Sequence, residues 1–368
     1  MNSNLAHYHT TSLSHHYLLL ILILQIDPEE YPDLFLGVQL GGTTHKKLHP
    51  AILETGRIFA TDTLLGGNAR CRLMLRSLSK AIDDYVPTPT DNGDLRHHLL
   101  NQVLKPSFTY WTSECRPHSV SMGNAFTFCK SAVAALDRDN TSLEECKSIL
   151  RENMEAYIQE RIDYADLAIA HVACDKIVNG DVILTYANSE VIRVVLKEAH
   201  KTKKFRVIVV DAKPLLEGKA LLRDLREAGL ECTYILMNAL SFVMKDVTKI
   251  LLGAEALLSD GSVYARVGTA CVALSANKDI PVLCCAETYK ISNRVQLEAI
   301  TNNELGNPQL VVEGSPLKDN LRVINLLYDL TPANMISGIV TEMGILPPTS
   351  VAVLLREMGN PQDAYSGF

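Results

Sequence analysis

The sequence predicts an α/β protein in which a helical N-terminal domain is followed by a mostly parallel, doubly wound sheet. Three observations carry that expectation. Up to about Leu150 the apolar residues recur at the spacing of amphipathic helices. Beyond Asn179-Gly180-Asp181, short and wholly apolar runs alternate with amphipathic stretches, the mark of a sheet covered on both faces. The chain is also large enough: 368 residues, 47% hydrophobic and 21% charged, can bury a core that divides between two domains.

In chain order, residues 1–48 form a separate segment with an apolar run from Tyr17 to Ile26, interrupted only by Gln25. About 20 apolar residues are needed to cross a bilayer, so this run is too short to span. It also lacks the basic start and small-residue cleavage site of a signal peptide. A buried strand, a buried helix, or a stretch foreign to the ancestral gene are the readings left open.

Residues 49–165 are expected to be helical. Ile52, Leu53, Gly56, Ile58 and Phe59 fall on one helical pattern, and Leu73, Met74, Leu75, Leu78 and Ile82 on a second. Breaks are placed at Gly66-Gly67-Asn68, at Pro87 to Gly93, and at Arg116-Pro117. Ser142, three residues before Glu145, caps a long helix that runs through Met154, Tyr157, Ile158 and Ile162 toward Ala168 and Ile169. Residues 166–368 then hold six expected strands: Val182 to Tyr186, Arg206 to Val210, Cys232 to Leu236, Ile250 to Leu257, Pro281 to Cys285, and Val323 to Tyr328. Five crossovers between them make a Rossmann-like domain.

Composition narrows the function. A formal charge of −7 leaves no cationic excess for phosphate backbones, so proteins or small molecules are the expected partners, and not nucleic acid or membrane. The nine cysteines show no C-x-x-C pair, which suits reduced cytosolic thiols and speaks against a metal site. Cys284 and Cys285, adjacent at a strand end, read as packed thiols.

Ligands of such sheets bind beyond the carboxyl ends of the strands. The first turn, Thr185 to Glu190, contains no glycine, and neither G-x-G-x-x-G nor G-x-x-x-x-G-K-[ST] occurs, so no nucleotide cofactor is expected. In the second turn, Asp211 could hold a ribose or cap the next helix, and local backbone bonding is the better reading. The fourth turn places Glu255 among small residues after an apolar strand, as in a present or former acid-base site. Nine of the eleven histidines lie in the first 118 residues, leaving His171 and His200 in the α/β half, so a Ser-His-Asp or Cys-His arrangement lacks its base.

Several strings then become legible together: Asn68-Ala69-Arg70-Cys71, Cys115-Arg116-Pro117, Asn179 to Leu184, Gly261-Ser262-Val263, Arg266-Val267-Gly268-Thr269, Glu287-Thr288-Tyr289-Lys290 and Tyr328-Asp329-Leu330-Thr331-Pro332. In this order, from about His49 to Leu355, they resemble the delta branch of the initiation factor 2B subunits. That family is related to methylthioribose-1-phosphate and ribose-1,5-bisphosphate isomerases. The resemblance puts Ala187 where the isomerases carry an acid-base cysteine, and Glu255 where they carry an aspartate. Alanine transfers no proton, and the extra methylene of Glu255 displaces a carboxylate by about 1 Å, enough to cost orders of magnitude in rate.

The resemblance therefore implies a regulatory subunit without catalysis or cofactor. It would sit in a hexameric alpha/beta/delta core, within a decamer that adds gamma and epsilon subunits, of the guanine-nucleotide exchange factor for initiation factor 2. That core binds the factor and responds to phosphorylation of its alpha subunit. By the same resemblance, Ile324 and Leu326 border the beta–delta contact, although their alternation alone would assign them to a core. Arg70 and Arg116 match positions facing a sugar phosphate, or else make internal ion pairs and hold helix ends. A sugar-phosphate-binding protein or residual aldose-ketose isomerase is the alternative. Relatives carry a long basic N-terminal extension that the residues before His49 do not resemble, and the segment from Glu304 to Lys318 is short.

Overall fold

The computed structural model describes residues 48–61, 66–87, 95–136, 142–276, 279–300, 303–313 and 320–357. The apolar run at Tyr17 to Ile26 lies outside them.

Helices α1 (Pro50–Ala60) and α2 (Gly67–Asp83) open the helical part. Helix α3 covers residues 95–115, with π-helical turns at Leu99–Leu104 and Trp111–Cys115; α4 is Val120–Ala134. The long helix expected after Ser142 is present as α5 over residues 143–174, and the Ser142 side chain accepts the Glu145 N–H at 3.2 Å. A π-helical turn at Ile158–Asp163 interrupts it. Such a turn rotates the downstream face of a helix. Met154, Tyr157, Ile158 and Ile162 pack with α1 to α4, whereas Ile169, Ala170 and Ala173 pack against the sheet. Trp111 sits at the centre of the helical core, its ring edge-on to Phe59 with centroids 5.9 Å apart and its indole N–H bonded to the Ile52 carbonyl at 2.8 Å.

The strands of the second part are β1 (Val182–Tyr186), β2 (Arg206–Asp211), β3 (Glu231–Leu236), β4 (Lys249–Gly253), β5 (Ala256–Leu258), β6 (Val263–Arg266), β7 (Val282–Cys285), β8 (Ile291–Ser292), β9 (Tyr328–Thr331), β10 (Gly338–Thr341) and β11 (Gly344–Leu346). Its helices are α6 (Glu190–His200), α7 (Gly218–Glu227), α8 (Thr269–Leu274) and α9 (Val351–Glu357). The main sheet runs β11-β10-β7-β4-β1-β2-β3, with only β11 antiparallel. Residues of both parities are buried, which explains the unbroken apolar strands. Ile183, Val207, Val209 and Leu251 meet α5, α6 and α7 on one face, while Leu184, Ile208, Val210 and Leu252 meet α8, α9 and a second sheet on the other.

The expected strands at Val182, Arg206, Cys232 and Pro281 are found within one residue of their predicted bounds. Two expectations require correction. The run Ile250 to Leu257 is not one strand: β4 stops at Gly253, and β5 belongs to a separate four-stranded sheet, β8-β5-β6-β9. The residues of the run that fall in the two strands, Ile250 to Gly253 and Ala256 to Leu257, are all apolar, so periodicity cannot register the change of sheet. Val323 to Tyr328 is not a strand of the main sheet either. Within it, Leu326 forms an isolated bridge to Leu305, β9 begins only at Tyr328 and lies in the small sheet, and the outer positions of the main sheet are taken by β10 and β11.

Candidate functional site

The strand order places β1 to β3 on one side and β4, β7 and β10 on the other, so the direction of winding reverses between β1 and β4. Beyond the carboxyl ends of those two strands, where such sheets bind ligands, lies a cavity of about 280 Å³. Its walls come from Ala187, Asn188 and Ser189 after β1, Ala254 and Glu255 after β4, Arg266 at the end of β6, Lys290, and the first turn of α2.

The β1–α6 turn is tight without a glycine. Ala187 takes φ +56°, and its N–H bonds the Val210 carbonyl at 2.9 Å, so the hydrogen bond and burial hold a side-chain residue in the left-handed region. Glu255 leaves β4 toward the small sheet, its backbone N–H bonded to the Tyr264 carbonyl at 2.9 Å. The carboxylate lies against the start of α2: a methyl group on Gly67 would stand 2.8 Å from Oε1 and 3.1 Å from Oε2. Oε1 is shielded from solvent and has no hydrogen-bond partner, and neither has Asn188 Oδ1. The structure thus brings Ala187 and Glu255 to one cavity. The pair cannot divide a proton transfer between two groups, because the alanine methyl has no labile proton.

Each cation bordering the cavity has an acidic partner. Arg266 grips Glu217 through two hydrogen bonds, one of them Nε to Oε2 at 2.9 Å, and lies 5.0 Å over the Tyr328 ring. Arg193 pairs with Asp224 at 3.0 Å, and Lys290 with Glu287 at 2.8 Å. Glu217 escapes a reading of the sequence, and although Asn188 and Lys290 fall in stretches the sequence singles out, the three turns meet only through the fold.

Behind the cavity is a buried polar junction between the helical part and the sheet. Asn68 donates to Glu287 at 2.5 Å and accepts the Tyr289 hydroxyl at 2.6 Å. Burial, and then the adjacent charge of Glu287, raise Asp166 to about 9, so it holds its proton at neutral pH. Burial opposes ionisation of Glu287 too, but the charge and hydrogen bond of Lys290 together with the Asn68 amide keep it below the ordinary carboxylate value. Asp329 caps α8, accepting the Gly268 N–H at 2.7 Å and the Ala270 N–H at 3.0 Å, and burial lifts it to about 6 against those bonds.

Arg70 and Arg116 are both buried and neither borders the cavity. Arg70 donates to the Pro117 carbonyl and lies 5.6 Å over the Phe59 ring; burial and the charge of Arg116 lower its pKa. Arg116 pairs with Glu304 at 2.5 Å. Asp211 makes local bonds, to the Ala212 N–H at 2.9 Å and the Tyr234 hydroxyl at 2.9 Å. Ile324 is 70% exposed, while Leu326 is half-buried. Among the described residues there is no cluster of three or more side chains suited to a metal ion, and no helix long and apolar enough to cross a membrane.

Comparison with known proteins agrees with this geometry. Residues 64–348 match the model of the initiation factor 2 subunit family. The eIF2B subunit delta of Schizosaccharomyces pombe is 39% identical over 85% of this chain and 69% of its own length. That of Dictyostelium discoideum is 40% identical over 84% of this chain, which spans about half (51%) of that relative. Ribose 1,5-bisphosphate isomerase of Pyrococcus furiosus is 30% identical over 71% of the chain and 81% of its own length. Among solved structures, the tetrameric eIF2B beta2-delta2 complex of C. thermophilum matches with a TM-score of 0.74 and 32% identity, over 84% of this chain and 96% of that one. The family match from the helical part through β11, the two-part fold, and the ordered strings at the strand ends together establish that the chain belongs to the initiation factor 2 subunit family.

Proposed function

We propose that this chain is a non-catalytic regulatory subunit of the cytosolic guanine-nucleotide exchange factor for translation initiation factor 2. In this reading it joins alpha and beta subunits in a hexameric core, with gamma and epsilon subunits attached, and that core binds initiation factor 2 and senses phosphorylation of its alpha subunit. The observation that carries the reading is an apolar surface on the segment between β8 and β9. Leu297 is 94% exposed, and Val295, Ile300, Leu305 and Ile324 are all at least 65% exposed. Large apolar side chains crowded on one segment mark a protein-binding face, and a similar chain crystallises with beta subunits. Ala187 at the cavity supports the absence of turnover.

Affinity purification of the tagged chain from its native cytosol, followed by native mass spectrometry, tests this reading. Recovery with alpha, beta, gamma and epsilon partners is expected, and recovery alone or as a homodimer would overturn it. The cavity and the isomerase relative favour a second reading, a sugar-phosphate site. Turnover of ribose 1,5-bisphosphate by the purified chain, abolished by Glu255→Ala, would establish it.

A further inference from the structure

The apolar face between β8 and β9 has no core beneath it: among the described residues from Asn293 to Leu326, none belongs to a hydrophobic cluster. Hydrogen bonds shape it instead. Leu305 bridges Leu326 in the antiparallel sense, the Leu327 N–H bonds the Glu304 carbonyl at 3.1 Å, and the Gly306 N–H bonds the Asn325 carbonyl at 2.8 Å. Residues 304–306 and 325–327 therefore form a two-stranded ribbon, whose second strand runs on into β9 and whose first hangs on the second. Side chains alternate along both. Asn325 and Leu327 are buried while Ile324 is exposed and Leu326 half-buried, and on the facing strand Glu304 turns inward and Leu305 outward. A slip of one residue would reverse Glu304 and Leu305, and two strands by themselves are only marginally stable in water.

An ion pair resists that slip. Glu304 meets Arg116 at 2.5 Å, with side chains only 12% and 5% exposed. Arg116 ends α3, and its own N–H bonds the carbonyl of Trp111 at the centre of the helical core. The charge of Glu304 also favours the protonated form of buried Arg70, which Arg116 opposes. A second tie from the segment, Lys213 to Glu313 at 2.6 Å, is solvent-exposed and holds little.

We propose that Glu304 is a positioning residue for partner binding: its pair with Arg116 ties the ribbon to the helical core and fixes the register in which Leu305 and Ile324 face a beta-type subunit. The partner rests on the assembly reading above; the hold of Glu304 on the ribbon does not.

Hydrogen exchange of the full chain without a partner reads the ribbon, and titration with a purified beta-type subunit reads the face. Glu304→Gln, which keeps the shape and removes the charge, is expected to speed exchange at the Gly306 and Leu327 amides by about tenfold, with exchange around Trp111 unchanged. The same variant is expected to weaken binding of the beta-type subunit by about tenfold. Glu304→Asp, charged but one methylene shorter, should show both effects to a smaller degree, and carries the same two readouts if Glu304→Gln does not fold. Glu313→Gln, on the same segment, should match the wild type in both. Wild-type exchange at the ribbon in the Glu304 variants would overturn the proposal, and so would a loosened ribbon with undiminished affinity. Exchange raised equally around Trp111, or failure of both variants to fold, would also overturn it, because the pair would then serve overall stability. A wild type that binds no beta-type subunit would overturn the assembly reading and the partner with it, and exchange alone would then decide whether Glu304 holds the ribbon.

Discussion

At the scale of single residues, the buried junction of Asn68, Asp166, Glu287, Tyr289 and Lys290 decides more than the cavity does. Asp166 carries a proton in the folded protein that it gives up in the unfolded chain above its ordinary value near 4. Between that value and about 9 the native state therefore binds more protons, so stability falls as pH rises, by up to about 1.4 kcal/mol per pH unit. Asp166→Asn should remove this slope, and urea denaturation at pH 6 and pH 8 measures the difference. A slope unchanged in the variant would show that the proton resides elsewhere. Asn68 joins the two carriers of this network by donating to Glu287 and accepting from Tyr289. Asn68→Ala leaves both without that partner and should lower stability by about 1–3 kcal/mol, read from the denaturation midpoint. None of these partnerships is legible in sequence. Asn68 and Glu287 are 219 positions apart, and burial, which sets the protonation of Asp166, is a property of the folded state.

At the scale of elements, the long helix and the first three strands were legible because their signals are local. Ser142 before Glu145 sets the start of α5, and the uninterrupted apolar residues of β1 and β2 require cover on both faces. The break after Gly253 was not legible. One apolar run feeds two sheets there, and the pairing of Glu255 with Tyr264 sends the chain out of the main sheet. The entry to α8 shows a comparable long-range constraint. Gly268 has φ +107°, and a Cβ there would meet the Tyr186 hydroxyl at 2.4 Å, while its N–H binds Asp329. Gly268→Ala combines backbone strain with a clash and should cost about 2–4 kcal/mol, seen as a lowered Tm in calorimetry. A Tm within 1 °C of wild type would show that the turn relaxes freely.

At the scale of the whole molecule, the helical part and the sheet share one buried boundary, with Tyr289 from the α/β part packed in the helical core. The segment from Val295 to Ile324 also touches the helical part, where Glu304 pairs with buried Arg116, but its large apolar side chains are exposed, so they can be changed without entering a core. Leu297→Asp with Ile324→Asp places charge only on exposed positions and should leave Tm within about 1–2 °C of wild type. The same double variant should lose co-purification with beta-type subunits, as charges at the centre of an interface are costly to desolvate. Loss of folding, or unchanged recovery of partners, would each show that this face is not the contact.

The sequence by itself determined the order of helical and α/β parts, the start of the long helix and the first three parallel strands, because these follow from local spacing, while the replacement at Ala187 is what the family resemblance implies. Only the tertiary structure decided that Ala187 and Glu255 share one cavity, that Arg70 and Arg116 lie outside it, and that the cations on its wall are already paired. Those facts depend on which turns meet at the switch between β1 and β4. The separation along the chain carries no record of that meeting, since it is fixed by strand order and by the burial of charge.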